Sequence, residues 1–339
     1  MSMGFSMVEL LVSMLLTLTV SGAVLGVMFA NTATSRTMSE VVDLQQRGRA
    51  AQEIITRDLY QAGAGADLGP AASALVQHFA PVLPRRAGLQ SADAYNVARS
   101  DAITLISVPR TTVQTTLRAP LAAGGALRVS PWPNCRADPL CGLAIGAQLL
   151  VFDRLEHFDA FTVTSVTGDS AGLRSWQVSN APFAYATDAV AVEAEWHTYY
   201  LDAAARQLRH FDGYLTDTPV VDDVVGVDFE YVGDPLPPLA PRPSVGAANC
   251  LYEASGAYRG GLSMLPADGG SLAILPLDLF RDGPWCGDGE NRFDADLLRI
   301  RKVRVTLRLQ AANEVMRGRK VADFSFSFEV APRNMGLTR

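Results

Sequence analysis

The sequence predicts an α+β protein: a long N-terminal α-helix, with a transmembrane half and an amphipathic half, packed on an antiparallel β-rich globular head. Three observations predict this fold class. Residues 5–30 form a continuous apolar run. Residues 31–63 repeat apolar side chains at steps of three and four, which is the pattern of one helix face. Much of residues 101–339 alternates apolar and polar side chains between turn signals, as half-buried strands do.

The apolar run from Phe5 to Ala30 has the length of a membrane-spanning helix. It contains no proline and only one charged residue, Glu9. At about 1.5 Å per residue the run extends about 39 Å, which exceeds the roughly 30 Å hydrocarbon core of a bilayer. It is longer than the apolar segment of a secretory signal, and no basic segment precedes it. A single transmembrane helix over residues 5–30 is therefore expected, with an ordinary signal anchor or a cleaved signal peptide as the alternative.

The helix is predicted to continue beyond the membrane to Ala62, in an amphipathic segment covering residues 31–63. Glycines and Pro70 follow and end it. The whole helix would be about 88 Å long, with its first half in lipid and its second half available to a head. A coiled-coil stalk is the alternative for the second half. The predicted apolar face consists of Met38, Val41, Leu44, Gly48, Ala51, Ile55, Leu59 and Ala62.

The head is predicted to begin at residue 101, after an irregular connection over residues 64–100 that is rich in Ala, Pro and Gly. The last two predicted strands each carry one apolar face, so they are expected to pair with each other antiparallel. Strands are predicted at residues 101–108, 148–153, 159–166, 195–213 (as a hairpin), 224–232, 300–310 and 323–330.

The chain has four cysteines, and none has a partner at the spacing of a zinc site. An even number behind a membrane segment indicates an oxidising compartment and disulfide bonds. The simplest of three pairings joins Cys135 to Cys141 and Cys250 to Cys286, and four reduced cysteines are the alternative. The second pair brackets a Pro- and Gly-rich insertion at about residues 235–286, which would be either a surface loop that meets a partner or a poorly ordered excursion.

The composition is that of a folded protein of 339 residues, with 48% hydrophobic side chains, 19% charged side chains and a net charge of −6. This acidic balance argues against a general nucleic-acid-binding protein. The charge is uneven, because residues 212–234 are acidic and residues 299–320 are basic. The two segments are expected to be solvated faces or, alternatively, complementary docking surfaces between subunits.

The sequence offers no convincing active site. His197 and His210 lie on the two strands of the predicted hairpin and can approach each other, but two histidines without a third ligand make a weak metal site. Hydrolase, zinc-protease and phosphate-loop motifs are missing from the sequence. We therefore expect no enzyme and no cofactor. The best candidates for calcium ligands, in a turn that lacks EF-hand spacing, are Asp288, Glu290, Asp294 and Asp296.

Gly4, Phe5 and Glu9 together resemble the processing signal of type IV pilins and pseudopilins, in which Gly is followed by a hydrophobic residue, usually Phe, with Glu four positions on. In that family a membrane peptidase cuts after the Gly and methylates the new amino terminus. The resemblance implies a leader of residues 1–4, cleavage between Gly4 and Phe5, and N-methylation of Phe5. The leader here carries no charge, whereas leaders of the family usually contain Lys or Arg.

The resemblance implies that Glu9 is the carboxylate required for fibre assembly. Cleavage creates a cationic amine on Phe5, and the Glu of one subunit can pair with the amine of a neighbour. Both charges lie in a medium of low dielectric, where an unpaired charge is expensive. Pairing with a neighbour would therefore favour assembly and set its register.

Residues 49–63, 195–232 and 331–337 resemble the corresponding segments of minor pilins of the PilW kind, and are similar to GspJ-type pseudopilins of type II secretion. The resemblance to the PilW kind implies a minor pilin that helps to initiate the fibre at its tip, in a system used for adhesion or twitching motility. Its implied partners are other minor and major pilins, the prepilin peptidase and an inner-membrane assembly platform.

The implied location is the bacterial inner membrane with the head in the periplasm, and later the fibre or cell surface. The alternatives are a type II secretion pseudopilin and, from another class, a membrane-anchored adhesin or hydrolase with a β-rich ectodomain. Nucleic-acid binding remains an alternative only because residues 299–320 are basic.

Overall fold

A single long helix, α1 (Met7–Gln61), dominates the N-terminal part of the computed structural model. Its first part, Met7–Phe29, is long and apolar enough to cross a membrane, and none of it is buried by the rest of the chain. The predicted continuous helix is confirmed for the described residues. The structure describes residues 6–68, 72–130, 138–155, 157–176, 184–266, 271–311 and 323–336.

The second half of α1 is built into the head. Leu44, Ile55 and Leu59 are among its fully buried side chains, and α1 contacts strands from two sheets. Met38 is 65% exposed, so the buried face begins at Leu44 and the sequence prediction that it begins at Met38 was wrong. Because the face is covered by the chain's own head, a coiled-coil partner is not needed to bury it.

The head is β-rich, as predicted, and its strands are short. The predicted strands are confirmed to within about two residues, and several shorter ones were not predicted. In chain order the strands are β1 (Val82–Leu83), β2 (Ala102–Ser107), β3 (Gln114–Thr116), β4 (Gln148–Phe152), β5 (Phe158–Thr167), β6 (Ser170–Ser175), β7 (Val190–Glu193), β8 (Glu195–Asp202), β9 (Gln207–Phe211), β10 (Asp217–Asp222), β11 (Val224–Gly233), β12 (Ala273–Leu275), β13 (Trp285–Cys286), β14 (Phe293–Asp294), β15 (Ile300–Gln310) and β16 (Asp323–Val330).

These strands form three antiparallel sheets and a two-stranded ribbon. The first sheet has the order β1-β2-β8-β9-β10, the second β12-β11-β15-β16 and the third β3-β7-β4-β5-β6, while β13 and β14 form the ribbon. The predicted hairpin is β8 and β9, and the predicted pairing of the last two strands is present, with Val305 opposite Phe328. Short 3₁₀ helices lie at Leu75–Gln77, Leu277–Phe280, Gly289–Asn291, Ala295–Arg299 and Arg333–Gly336.

Two large hydrophobic clusters and a small one of Ala102, Tyr200 and Phe211 fill the described part of the head. The larger one gathers the inward face of α1 with side chains of the first and second sheets. The third sheet is buried on both faces, since on β4 Leu150 and Phe152 belong to this larger cluster while Leu149 and Val151 belong to the second large one. This explains why β4 is a continuous apolar run in the sequence and does not alternate.

The insertion between β11 and the ribbon is tied to the head. Cys250 and Cys286 form a disulfide with their Cα atoms 5.0 Å apart, which is one bond of the simplest pairing. Leu251 and Tyr252 are buried in the larger cluster. Cys141 is disulfide-bonded, and its expected partner Cys135 lies outside the described residues.

Candidate functional site

The N-terminal end of α1 places Glu9 in the first helical turn, while Gly4 and Phe5 lie outside the described residues. Ser6 caps the helix: its Oγ accepts the Val8 N–H at 3.4 Å, and its own N–H donates to Glu9 Oε2 at 3.4 Å. Glu9 therefore has a local role in a capping box within a single chain. A Gln side chain serves equally well at this position of a capping box, so the cap does not require the negative charge.

A buried polar cluster joins α1 to the first sheet. It consists of Asp58 on α1, His197 and Tyr199 on β8, and His210 on β9, and is called the junction cluster below. His197 and Tyr199 are two residues apart and so lie on the same face of β8, and Tyr199 is paired in register with His210. The face they share is the one against which α1 packs Asp58, whose side chain is only 3% exposed.

The polar atoms of the junction cluster converge on one oxygen of Asp58. The Tyr199 hydroxyl donates to Asp58 Oδ2. The Nδ1 atom of His197 lies 3.3 Å from the same oxygen and 2.9 Å from Nε2 of His210. The other oxygen, Asp58 Oδ1, accepts from Arg57 Nε at 2.9 Å.

Burial sets the protonation of two members of the cluster. Loss of solvent, reinforced by the Asp58 carboxylate, raises the pKa of the Tyr199 hydroxyl far above its ordinary value, so it remains a donor. Burial, and then the neighbouring His197, lowers the pKa of His210. The His210 ring is therefore neutral at pH 7 and presents a lone pair.

His197 and His210 approach each other across the predicted hairpin, and Asp58 adds a third potential ligand that the sequence analysis did not include. The three potential ligand atoms all lie within 4.8 Å of one another. One signal for Asp58 exists in the sequence. It falls three residues after Ile55 and four before Ala62, so it is a carboxylate on the apolar face of a helix, where an unpaired charge is costly.

The predicted calcium ligands are not brought together as a set of four. Asp294 and Asp296 group with Asp282, all within 4.8 Å, whereas the described positions of Asp288 and Glu290 lie outside this group.

The chain's own donors already satisfy the Asp294 carboxylate, which accepts the Gly283 N–H at 2.7 Å and the Asp296 N–H at 3.0 Å. Asp296 pairs with Arg299 at 2.7 Å with both side chains fully buried. The group thus holds the chain around β14 in place, and burial raises the pKa of Asp294 to about 6.

The acidic and basic segments of the sequence meet within one chain. The acidic strand β11 pairs with the basic strand β15, and Glu230 and Arg304 face each other in register with their side chains 2.8 Å apart. Asp234 and Arg301 form a second ion pair at 2.7 Å. These four residues therefore compensate one another inside the subunit, and docking between subunits would depend on the remaining charges of the two segments.

No family model matches the chain, and comparisons with curated proteins and with solved structures likewise give no match.

Proposed function

We propose that this chain is a minor pilin of the PilW kind: a membrane-anchored subunit that is cleaved between Gly4 and Phe5 and then enters a type IV pilus fibre. In this proposal it joins other minor and major pilins on an inner-membrane platform and helps to start the fibre, at whose tip it remains. The head lies in the periplasm before assembly. The chain is a substrate of the prepilin peptidase and has no catalytic role of its own.

The observation that carries the proposal is the continuity of α1. Its first part is bare and apolar, and its second part lies in the core of the head without an intervening linker. A simple membrane anchor needs only a flexible tether. A helix shared between membrane and core instead moves as one body with the head, so that withdrawal from lipid exposes an apolar rod that neighbouring subunits must cover.

Glu9 supports the same proposal. It is the one charged side chain of Met7–Phe29, and carboxylates in membrane segments are expensive and usually functional. Its capping role requires a hydrogen-bond acceptor, whereas pairing with the cationic amine of a neighbouring Phe5 requires a charge. The two roles can therefore be separated by substitution.

The first experiment is N-terminal sequencing with intact-mass measurement on protein from the native membrane fraction. A chain that begins at a methylated Phe5 is the expected result. An intact Met1, or a cut near residues 30–33, would overturn the proposal and leave an anchored or secreted β-rich protein.

The second experiment compares Glu9→Gln with Ser6→Ala in cells. Glu9→Gln keeps the capping box but removes the charge, so we expect a processed subunit that does not enter fibres. Ser6→Ala removes the cap but keeps the charge, and we expect it to assemble. Incorporation is scored by immunogold labelling of sheared fibres. If Glu9→Gln enters fibres as well as Ser6→Ala does, the charge has no role in assembly.

The type II secretion pseudopilin of the GspJ kind shares each of these steps and differs in the fibre that it joins. A strain that lacks the gene for this chain distinguishes the minor pilin from the pseudopilin. Loss of surface pili and twitching with normal protein secretion is expected for the minor pilin, and the reverse is expected for the pseudopilin.

A further inference from the structure

We propose that Asp58, His197 and His210 bind a divalent transition-metal ion of the zinc class, which links α1 to the head. The ligand atoms are Asp58 Oδ2, His197 Nδ1 and His210 Nε2. This site does not depend on the proposed function, since it follows from the junction cluster alone.

Two of the three spacings are close to those expected around a tetrahedral ion, and all three atoms lie within 4.8 Å of one another. Zinc lies about 2.0–2.2 Å from nitrogen and oxygen ligands, which places two ligands of a tetrahedron about 3.3 Å apart. In the junction cluster the Asp58–His197 distance is 3.3 Å and the His197–His210 distance is 2.9 Å. Three protein ligands leave a fourth position for water.

The three atoms are placed better for a shared cation than for two separate hydrogen bonds. His197 Nδ1 faces both the Asp58 oxygen and His210 Nε2. A neutral imidazole nitrogen is either a donor or an acceptor, so Nδ1 either shares one N–H between the two atoms, or accepts from His210 and leaves the carboxylate facing a lone pair. A cation placed between the three atoms accepts a lone pair from each of them.

The surrounding groups are those that orient metal ligands. His197 Nε2 lies 3.4 Å from Glu195 Oε2, the carboxylate–histidine contact that fixes a ligating ring. The Tyr199 hydroxyl and Arg57 both hold the Asp58 carboxylate, and Arg57 does so on the oxygen that faces away from the histidines. Two imidazoles and one carboxylate favour zinc and its neighbours over magnesium or calcium.

The test uses the untagged full-length chain in detergent, stripped with a chelator and titrated with zinc chloride against a chromogenic competitor. We expect one zinc per chain and a higher thermal midpoint with zinc. His210→Gln should weaken binding by more than about 100-fold, since even changes to the groups that orient metal ligands cost 10–100-fold. Glu195→Gln should weaken it less, by about 10-fold.

The matched control is His157→Gln, which removes a histidine that also pairs with an aspartate, Asp153, at 2.8 Å but lies outside the junction cluster. It should leave zinc affinity unchanged. Equal affinities of the His157 and His210 variants would overturn the proposal, as would the absence of stoichiometric zinc in the wild-type chain.

A second readout needs no variant. Cobalt substituted into the wild-type site should show the intense visible bands of a tetrahedral ion, and zinc should abolish them. Weak octahedral bands, or none, would also overturn the proposal, even if the His210 variant failed to fold.

Discussion

The buried carboxylate of Asp294 couples the stability of the head to pH. The residue is 0% exposed, and burial, opposed by backbone N–H donors, raises its pKa to about 6. A carboxyl whose pKa is raised by folding stabilises the folded state below its unfolded pKa of about 3.9, and this stabilisation is lost as pH rises through the folded value. The wild-type chain should therefore lose up to about 2 kcal/mol from this group between pH 4 and pH 6.5.

The measurement is urea unfolding of the wild type and Asp294→Asn in calcium-free buffer at several pH values. The Asn side chain does not titrate in this range, so it removes the contribution of this carboxyl to the pH dependence. The stability of the wild type minus that of Asp294→Asn should therefore fall by up to about 2 kcal/mol as pH rises from 4 to 6.5. Parallel curves would contradict the assignment of a raised pKa to Asp294.

At the residue scale the sequence predicted some contacts between paired residues but not the contact between distant elements. The approach of His197 to His210 and one disulfide pairing came from pairwise patterns and are confirmed, while the role of Glu9 stays a prediction. Asp58 was not predicted, because its contact with the cluster spans a sequence separation of 141 residues to Tyr199. That contact depends on how α1 docks on the first sheet, and no periodicity encodes the docking.

Gly48 sets how closely α1 approaches the second sheet. A Cβ at this position would lie 2.8 Å from the ring of Phe326 and 3.4 Å from Leu309. Gly48→Leu should therefore destabilise the head by about 1–3 kcal/mol, the usual cost of overpacking. Ala50→Leu, on the exposed face of the same helix, should change stability by less than about 0.5 kcal/mol.

Thermal unfolding followed by circular dichroism compares the stabilities of the two variants with the wild type. The double variant Gly48→Leu/Phe326→Ala is included as a third variant. Removing the ring makes room for the leucine, so the double variant should recover part of the loss. If Gly48→Leu and Ala50→Leu unfold alike, α1 and β16 are not in close contact at this point.

The disulfide between Cys250 and Cys286 closes a loop with a sequence separation of 36. In the chain-entropy model a loop of this length stabilises the folded chain by about 4 kcal/mol. Replacing both cysteines with alanine should cost about this amount, measured by urea unfolding without reductant. Wild-type protein treated with reductant should be at least as unstable as the variant, because reductant also cleaves the disulfide of Cys141. A difference below about 1 kcal/mol between wild type and variant would assign the stability of the insertion to its buried side chains instead.

At the element scale, the sequence predicted strands with a strong alternating pattern and missed strands that are very short or lie at a sheet edge. Strand β15 was predicted at its exact bounds because four apolar residues alternate with basic ones along its length. Strand β10 was missed because it contains Pro219 and lies at the edge of the first sheet, where proline is tolerated. Strands β3 and β7 are three and four residues long, too short to establish an alternating pattern.

For the whole molecule, the decisive question is whether α1 is an anchor attached to a head or a part of that head. Leu44, Ile55 and Leu59 are each at most 1% exposed. At about 1.5–3 kcal/mol for each buried side chain they contribute about 5–9 kcal/mol, which is comparable with the entire stability of a typical domain. The second half of the helix should therefore be indispensable for folding, and the first half should not.

Two truncations test this division. A chain that starts at residue 31 keeps the whole buried face and should be soluble without detergent and unfold cooperatively. A chain that starts at residue 63 exposes the surface that α1 covers, and should aggregate or show no cooperative transition in near-ultraviolet circular dichroism. A peptide of residues 38–62 added in trans should restore the transition. If the shorter chain instead unfolds at the midpoint of the longer one, helix and head are independent bodies and would not leave a membrane as one unit.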